Sequence, residues 1–431
     1  MAHMQKYKRQ RGAVLLVGLI IIMAAMATAL VAFLGRGVND SRKAMQTSKA
    51  LAQAKEALIA YAVRIDFSVT TPDRPGSLPC PDNHPLNDPQ AGKESTPCTG
   101  NALGRLPWKT LGISDLRDAD GERIWYAVSD RFRRNSPIFA FGGINPDTNG
   151  RITIRASNGA VMQSVADSAT GSVAVLIAPG SPLRRQDGVL QIRSAANYNV
   201  AQHYLDCLGV GCSIEDNVNF INGSTTNGFF AGPVRSDNGY ISNDQLLSLS
   251  APELIGPVSK LVAKAVLDDM KQSLASAQML PSPAALTDIT CFGNNTLPGS
   301  SCQPSSTNFG RVPVTNWGNP GTMLDRVANA SNWFQRNGWR EHVFYAIAPA
   351  CQVTPLCSTG IFSVNNLPAA NNNVRLIVMV GGIANVGQIR AVKTNIGNYL
   401  EDENAMPIDN IFAFKAANPN ITFNDAVAWL Q

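Results

Sequence analysis

An unbroken apolar run near the start of the chain is its strongest hydrophobic pattern. Residues Ala13–Leu34 contain no charged side chain, and Thr28 supplies their only side-chain hydroxyl. A helix over these 22 residues is long enough to cross the hydrocarbon layer of a membrane. Basic residues precede the run and place its N-terminal side in the cytoplasm. The pattern therefore predicts a transmembrane helix.

An amphipathic pattern follows the apolar run. Between Ser41 and Phe67 the chain contains neither Pro nor Gly, and its apolar residues recur at helical spacing. The two patterns together predict one long N-terminal helix over residues 13–66, roughly 80 Å in length. Its apolar part, residues 13–34, would lie in the membrane or in the core of a filament.

The rest of the chain contains two sets of landmarks in the same order. Each set has a close cysteine pair, a Gly-Arg-x-Pro segment, short β-branched runs and a Tyr-Leu-acid segment. This recurrence indicates an internal duplication. We predict a first head module over residues 67–250 and a second over residues 251–431. The matching segments include Gly104–Pro107 and Gly310–Pro313, His203–Asp206 and Asn398–Glu401, and Ile241–Leu247 and Ile421–Val427.

Local patterns within the two modules predict further elements. The amphipathic stretch Leu254–Ala277 predicts a helix that opens the second module. Stretches rich in Gly, Asn, Ser and Pro predict surface loops near residues 141–160, 219–243, 292–320 and 365–373. Short β-branched or aromatic runs predict strands at Arg123–Val128, Ser172–Ala178, Val343–Ala348 and Arg375–Val380.

Eight cysteines fall into four close pairs. An even number of paired cysteines favours disulfides that form in an oxidising compartment; the alternative is reduced thiols in a cytosolic protein. No pair has CxxC spacing and no histidine stands at metal-ligand spacing, so zinc is poorly supported. The pairs are Cys80 and Cys98, Cys207 and Cys212, Cys291 and Cys302, and Cys351 and Cys357.

Charge and motifs narrow the function classes. The formal net charge is +5, but four basic residues lie in the first twelve positions, and the remaining chain is at +1. Such a near-neutral body lacks the broad basic field used in nucleic-acid binding. The chain contains no G-x-S-x-G, Walker A or H-E-x-x-H motif, and its four histidines are scattered. We therefore expect neither an enzyme nor a nucleic-acid-binding protein.

The junction between the basic leader and the apolar run is the most specific motif. Arg9-Gln-Arg11-Gly12 followed by Ala13-Val-Leu-Leu resembles the prepilin signal of type IV pilins and type II secretion pseudopilins. The resemblance implies a leader peptide over residues 1–12, cleavage by a prepilin peptidase after Gly12, and N-methylation of Ala13. Two other interpretations are a plain signal anchor and a secretory signal peptide, which would be cleaved at an A-x-A site within residues 25–29.

One position departs from the pilin pattern. Pilins usually carry Glu at the fifth mature position, where its carboxylate can meet the amino terminus of a neighbouring subunit; here that position is Val17. A lone carboxylate in hydrocarbon is costly, so it persists only where it gains a partner. The absence of Glu resembles the K-type minor pseudopilin and some X-type minor pilins, which are assigned to filament tips.

The resemblance and the local patterns together define an expected fold class. We expect an α+β protein in which a long N-terminal (transmembrane) helix precedes two tandem pilin-like heads. Each head would be a helix packed on an antiparallel β-sheet.

An acidic loop is the one candidate metal site. Asp115, Asp118, Asp120 and Glu122 alternate around a glycine, as oxygen ligands of calcium often do, and some pseudopilin heads bind calcium. The full twelve-residue calcium loop is absent, however, because no Glu occupies its closing position. A solvated hairpin turn is the alternative interpretation.

The expected function is that of a structural subunit. We expect a minor pilin or pseudopilin at or near the tip of a type IV pilus or a type II secretion pseudopilus, where it primes or caps assembly. Its partners would be other pilins or pseudopilins, prepilin peptidase and, before assembly, the bacterial inner membrane, with the head in the periplasm. The alternatives are a pilus-tip adhesin, a DNA-uptake minor pilin and a signal-anchored periplasmic protein outside any filament.

Overall fold

The computed structural model describes most of the chain after residue 38. The described ranges are residues 39–64, 75–134, 143–166, 171–212, 215–237, 239–275, 279–288, 302–313, 324, 333–354, 357–366, 371–414 and 423–431. The predicted leader, the Gly12–Ala13 cleavage site, Val17, the apolar run and Cys291 lie outside these ranges.

The first described element is an amphipathic helix, α1, over residues 39–64. Its small and aliphatic side chains recur every three or four positions, and this stripe is buried. The stripe packs against the sheet formed by the strands that follow. The buried residues of the stripe are Ala50, Leu51, Ala54, Ala57, Leu58 and Ala62.

A four-stranded antiparallel sheet lies under α1, with strand order β1-β2-β5-β11. Its central strand β5 is buried at every position, because side chains on one face meet α1 and side chains on the other meet a second core. Such a strand reads as a continuous apolar run rather than an alternating one. The strands are β1 (Ala102–Arg105), β2 (Trp125–Val128), β5 (Ser172–Ala178) and β11 (Gln245–Ser250).

A three-stranded sheet and two hairpin-like pairs complete the first half of the chain. The three-stranded sheet has the order β4-β3-β8, in which β3 pairs with β4 antiparallel and with β8 parallel. Two-stranded sheets join β6 to β7 and β9 to β10. The strands are β3 (Ile154–Ala156), β4 (Val161–Gln163), β6 (Cys207–Leu208), β7 (Glu215–Asp216), β8 (Phe229–Ala231), β9 (Val234–Ser236) and β10 (Gly239–Ser242).

The second half repeats this topology. Helix α3 (Ala251–Ala275) contacts a four-stranded antiparallel sheet of order β12-β13-β16-β18, and a three-stranded sheet of order β15-β14-β17 again combines one antiparallel and one parallel pair. The strands are β12 (Phe309–Arg311), β13 (Val343–Ile347), β14 (Phe362–Asn365), β15 (Asn371–Val374), β16 (Leu376–Val380), β17 (Ile411–Ala413) and β18 (Ala426–Leu430).

Short helices connect these strands. The α-helices are α2 (Trp108–Leu111), α4 (Trp333–Arg336) and α5 (Pro349–Val353). The 3-10 helices are Ala201–His203, Trp339–Glu341, Ile396–Asn398, Asp402–Ala405 and Pro407–Asp409.

The expected fold class is wrong. Helix α1 is polar on most of its surface rather than apolar, and no helix within the described ranges has both the length and the apolar composition needed to cross a bilayer. The described structure is mainly β-sheet, and each half adds a mixed three-stranded sheet to its antiparallel one. A long N-terminal transmembrane helix followed by two pilin-like heads is therefore not the observed architecture.

Individual elements fared better than the fold class. The predicted strands correspond to β2, β5, β13 and β16, and the predicted helix corresponds to α3. All four predicted loop regions instead contain strand residues, those of β3, β8, β12 and β15 among them. These strands are three or four residues long and lie among Gly and Asn, so their residues carry little periodic signal. The module boundaries stay a prediction.

Candidate functional site

In each four-stranded antiparallel sheet, one buried arginine is the last residue of the first strand. Arg105 closes β1 and Arg311 closes β12, and their exposed fractions are 2% and 0%. Arg105 donates from Nη2 to the carbonyl of Tyr198 at 3.0 Å, and Arg311 donates to the carbonyl of Lys393 at 2.6 Å. Burial lowers the pKa of each guanidinium to about 10, so both are charged at neutral pH.

A tyrosine ring contacts two guanidinium groups in each half. The Arg105 and Arg193 guanidinium carbons lie 4.0 and 5.2 Å from the centre of the Tyr204 ring. In the second half, those of Arg311 and Arg390 lie 4.5 and 4.6 Å from the centre of Tyr399. In each half, a cation–π interaction with the tyrosine ring stabilises a buried guanidinium group.

A carboxylate two residues after each of these tyrosines accepts a side-chain and a main-chain hydrogen bond. Asp206 accepts from Nε2 of Gln191 at 2.9 Å and from the Asn243 amide at 2.8 Å. Glu401 accepts from Nε2 of Gln388 at 3.0 Å and from the Asn424 amide at 3.0 Å. The longer Glu side chain thus makes the same pair of contacts as Asp.

A second carboxyl group faces the first in each half. The Asp206 amide donates to Oδ2 of Asp244 at 2.8 Å, and Asn217 donates to the same oxygen at 2.8 Å. Correspondingly, the Glu401 amide and Asn404 donate to Oδ2 of Asp425, both at 3.0 Å.

The two asparagines connect these carboxyl groups to the three-stranded sheets. Oδ1 of Asn217 accepts from the Phe230 amide in β8, and Oδ1 of Asn404 accepts from the Ala413 amide in β17. We call these two sets the first and second carboxyl clusters. The first consists of Gln191, Asp206, Asn217, Asn243 and Asp244, and the second of Gln388, Glu401, Asn404, Asn424 and Asp425.

One carboxyl group of each pair has a strongly raised pKa. Burial, together with the charge of the neighbouring acid, raises the pKa of Asp244 and of Asp425 well above the ordinary value. Burial also raises the pKa of Asp206. Two like charges in one buried site cannot both ionise without a large cost, so the site favours the protonated form of Asp244 and of Asp425.

The carboxyl clusters are positioned to hold the fold rather than to meet a substrate. Their carboxyl-bearing residues are no more than 7% exposed, and the hydrogen bonds that they accept come from groups of the chain itself. Each cluster fixes the loop after a central strand to the start of the last strand of its sheet, β11 or β18. The hydrogen bonds within each buried network favour one arrangement of the chain.

The acidic loop proposed for calcium uses its carboxylates within the protein. Asp118 is buried and accepts from the amides of Asp120, Glu122 and Gly180, and burial raises its pKa. Asp115 pairs with two arginines, Asp120 with Lys43 at 2.6 Å and Glu122 with an arginine at 3.2 Å. Across the described ranges, no three His, Cys, Asp or Glu residues converge as a metal site.

Three of the predicted disulfides are present. Cys80 is bonded to Cys98, Cys207 to Cys212 and Cys351 to Cys357. Cys302 is also disulfide-bonded. The described cysteines therefore contain no free thiol.

Polar contacts are among those that join the two halves. Asp147 of the first half lies 3.2 Å from Nε of Arg390 and 3.6 Å from Nε2 of His342. The Ile144 amide donates to Oδ1 of Asn337 at 3.1 Å, and the Asn145 side chain donates to the Asn337 carbonyl at 2.8 Å. His342 is fully buried, and burial lowers its pKa well below the ordinary value, so it is neutral.

Sequence reasoning singled out the Tyr-Leu-acid segments but missed the glutamines and arginines that bind them. The signal was present, because Gln-Ile-Arg occurs once in each half, at Gln191–Arg193 and Gln388–Arg390. In both copies Gln and Arg turn inward to the carboxyl and the tyrosine, and Ile between them is exposed.

Comparison with known proteins identifies no relative. No protein-family model, curated protein or solved structure matches the chain.

Proposed function

We propose that this protein is a minor subunit of a type IV pilus or a type II secretion pseudopilus, located at or near the tip, where it primes or caps assembly. The observation that carries the proposal is the junction Arg11-Gly12-Ala13, where a short basic leader meets the uncharged segment Ala13–Leu34. A leader of this kind resembles those removed by prepilin peptidase.

The described structure supports a direct attachment of this segment to a folded body. Helix α1 begins at residue 39, five positions after Leu34, and its buried stripe packs on the first antiparallel sheet. Lys55 of α1 also forms an ion pair with Glu253 of α3 at 2.5 Å, which connects α1 to the start of the second half. A load applied to the apolar segment would thus reach both halves through packed elements.

The size and composition of the body support a terminal rather than a repeating position. Two sheet assemblies in tandem, each with its own carboxyl cluster, make a large body for a subunit that must pack against copies of itself. Val17 provides no carboxylate to pair with the amino terminus of a subunit ahead of it. Both features suit a subunit that occurs once at the end of a filament.

The disulfides support export. Structural disulfides form and persist in oxidising compartments such as the periplasm. Three are described, at Cys80–Cys98, Cys207–Cys212 and Cys351–Cys357.

Mass spectrometry of the mature N-terminus tests the proposal. The protein is isolated from cells with and without prepilin peptidase, and we expect an N-methylated Ala13 as the first residue only when the peptidase is present. Gly12→Leu should leave the leader attached, because the small residue before the cut is replaced by a bulky one. Gln10→Ala, a change of similar size within the same leader, should be processed normally.

Each other mature N-terminus would support a different interpretation of the protein. An intact leader in peptidase-positive cells would support a signal-anchored protein outside any filament and would overturn the proposal. A first residue at Thr28 or Leu30 would identify a secretory signal peptide and would also overturn it. If Ala13 is the first residue, loss of fibres in cells lacking the protein supports priming. Intact fibres with lost attachment would instead favour the adhesin alternative.

A further inference from the structure

The first two turns of α1 form an exposed projection, although Asp40 and Lys43 within them form ion pairs with the body. Every residue from 39 to 46 is exposed, whereas Thr47 is the first buried position. Eight helical residues extend about 12 Å. Met45, in the middle of this projection, is 74% exposed.

The β9–β10 hairpin lies beside this projecting end. Arg235 of β9 forms an ion pair with Asp40 at 2.9 Å. The guanidinium of Arg235 also stacks on the ring of Tyr240 in β10, 4.2 Å from its centre. Both side chains remain open to solvent, with Arg235 57% and Tyr240 41% exposed.

Basic and amphipathic side chains therefore surround the start of α1. Arg42 and Lys49 are exposed, and neither forms an ion pair within the described part of the chain. We call Arg42, Met45, Lys49, Arg235 and Tyr240 the collar. Guanidinium and ammonium groups bind phosphate, and a tyrosine ring suits the boundary between apolar and aqueous phases.

The few residues between the apolar segment and α1 keep the collar close to whatever surrounds that segment. Five residue steps separate Leu34 from Asn39, and an extended chain covers at most about 18 Å over that distance. Whatever accommodates the apolar segment must therefore lie close to the collar. A bilayer surface presents phosphate groups at this position, which complement the basic side chains of Arg42 and Lys49.

We propose that the collar binds anionic phospholipid headgroups at the membrane surface before assembly. The proposal rests on the proposed function, because that function places the apolar segment in the inner membrane at this stage. Arg42, Lys49 and Arg235 contact lipid phosphates, while Tyr240 and Met45 enter the interfacial layer. The alternative occupant, a neighbouring filament subunit, is separated by the experiment below.

The test places an environment-sensitive fluorophore on the hairpin of the full-length protein. Ser236→Cys is a nearly isosteric labelling site in β9, and Val386→Cys, at a fully exposed residue of the second half, is the matched control site. Each labelled protein is reconstituted into phosphatidylcholine vesicles with or without phosphatidylglycerol, and quenching by headgroup-labelled lipid is recorded. We expect strong quenching at position 236 with phosphatidylglycerol, weaker quenching without it, and little at position 386.

Charge variants identify the cause of the quenching. Arg42→Gln combined with Lys49→Gln should abolish most of the phosphatidylglycerol-dependent quenching, because each basic residue near an anionic surface contributes about fivefold to its occupancy. Arg184→Gln combined with Lys260→Gln removes two exposed charges elsewhere and should leave it unchanged. Added salt should weaken the signal in the unmodified chain.

Two outcomes would overturn the lipid proposal. The first is a lack of specificity: quenching is equal at positions 236 and 386, or it does not depend on phosphatidylglycerol. The other is a fluorophore that stays open to an aqueous quencher in vesicles and becomes shielded only in isolated fibres, which would assign the collar to a neighbouring subunit. Neither outcome affects the N-terminal processing assay, so failure of this proposal is distinguishable from failure of the proposed function.

Discussion

Replacing Asp425 by alanine should lower the free energy of unfolding by about 2–6 kcal/mol. Its Oδ2 atom accepts hydrogen bonds from the Glu401 amide and the Asn404 side chain, each 3.0 Å long. All three residues are no more than 7% exposed, so water has little access to replace the lost acceptor. A buried donor left without a partner costs about 1–3 kcal/mol, and alanine leaves two of them.

Asp425→Asn is the matched variant, because an amide keeps an oxygen acceptor in the same place. Its NH2 group substitutes for the protonated oxygen of the carboxyl group, so we expect stability at neutral pH to stay within about 1 kcal/mol of the wild type or to rise. The contrast between alanine and asparagine thus isolates the acceptor from the size of the side chain.

The same pair of proteins tests the raised pKa of Asp425. Burial and the neighbouring Glu401 raise the folded-state pKa well above the unfolded value of about 3.9. The folded state therefore keeps a proton that the unfolded state releases, so this contribution to stability is complete at acid pH. It is lost as pH rises from about 4 through the folded-state pKa. Asp425→Asn should lack this component.

Urea unfolding with the disulfides intact, followed by tryptophan fluorescence over a series of pH values, measures these effects. Trp429 lies in β18, the strand that begins at Asp425's neighbour Ala426, and so reports on this part of the sheet. Equal losses for the alanine and asparagine variants would refute the role of the acceptor. An unchanged pH dependence in Asp425→Asn would refute the raised pKa of Asp425.

Two further predictions concern the disulfides and the contact between the halves. Replacing the Cys80–Cys98 pair by serines should lower the free energy of unfolding by about 3 kcal/mol, and replacing Cys207–Cys212 should lower it by about 2 kcal/mol. The difference arises because the closed loops have sequence separations of 18 and 5. Denaturant midpoints measure both losses, and the reverse order would contradict the chain-entropy argument. Asp147→Asn removes the ion pair with Arg390 at a partly exposed site, so stability should fall by no more than about 1 kcal/mol. Hydrogen exchange of the Ile144 amide, which donates to Asn337 across the same contact, should accelerate. Asp268→Asn, which removes two exposed ion pairs within α3, should leave this exchange rate unchanged.

Local sequence patterns correctly predicted the elements whose own residues show a clear hydrophobic pattern. The strand Ser172–Ala178 is an apolar run because both of its faces are buried, and α3 shows its apolar stripe in sequence. The three described disulfides join cysteines that are close in sequence, which made their pairing readable without a fold.

The overall architecture and the carboxyl clusters depend on contacts that local patterns do not encode. The pairing of Asp206 with Asp244 spans 38 positions, and that of Glu401 with Asp425 spans 24. Both members of each pair were within recognised landmarks, yet only the fold brings them together. The parallel pairs β3–β8 and β14–β17 were missed for the same reason, because each strand has only three or four residues and its partner is distant.

Helix α3 has a consequence for anyone who wishes to produce the two halves separately. Leu254 and Ile255 at its start fill the core under α1, whereas Val258 and the later apolar residues fill the core of the second half. A first fragment that ended at Ser250 would have a cavity in its core where these two side chains had been. A second fragment that began at Ala251 would expose the same two apolar side chains to water. One continuous helix thus belongs to both bodies, and dividing the gene at this point would damage each product.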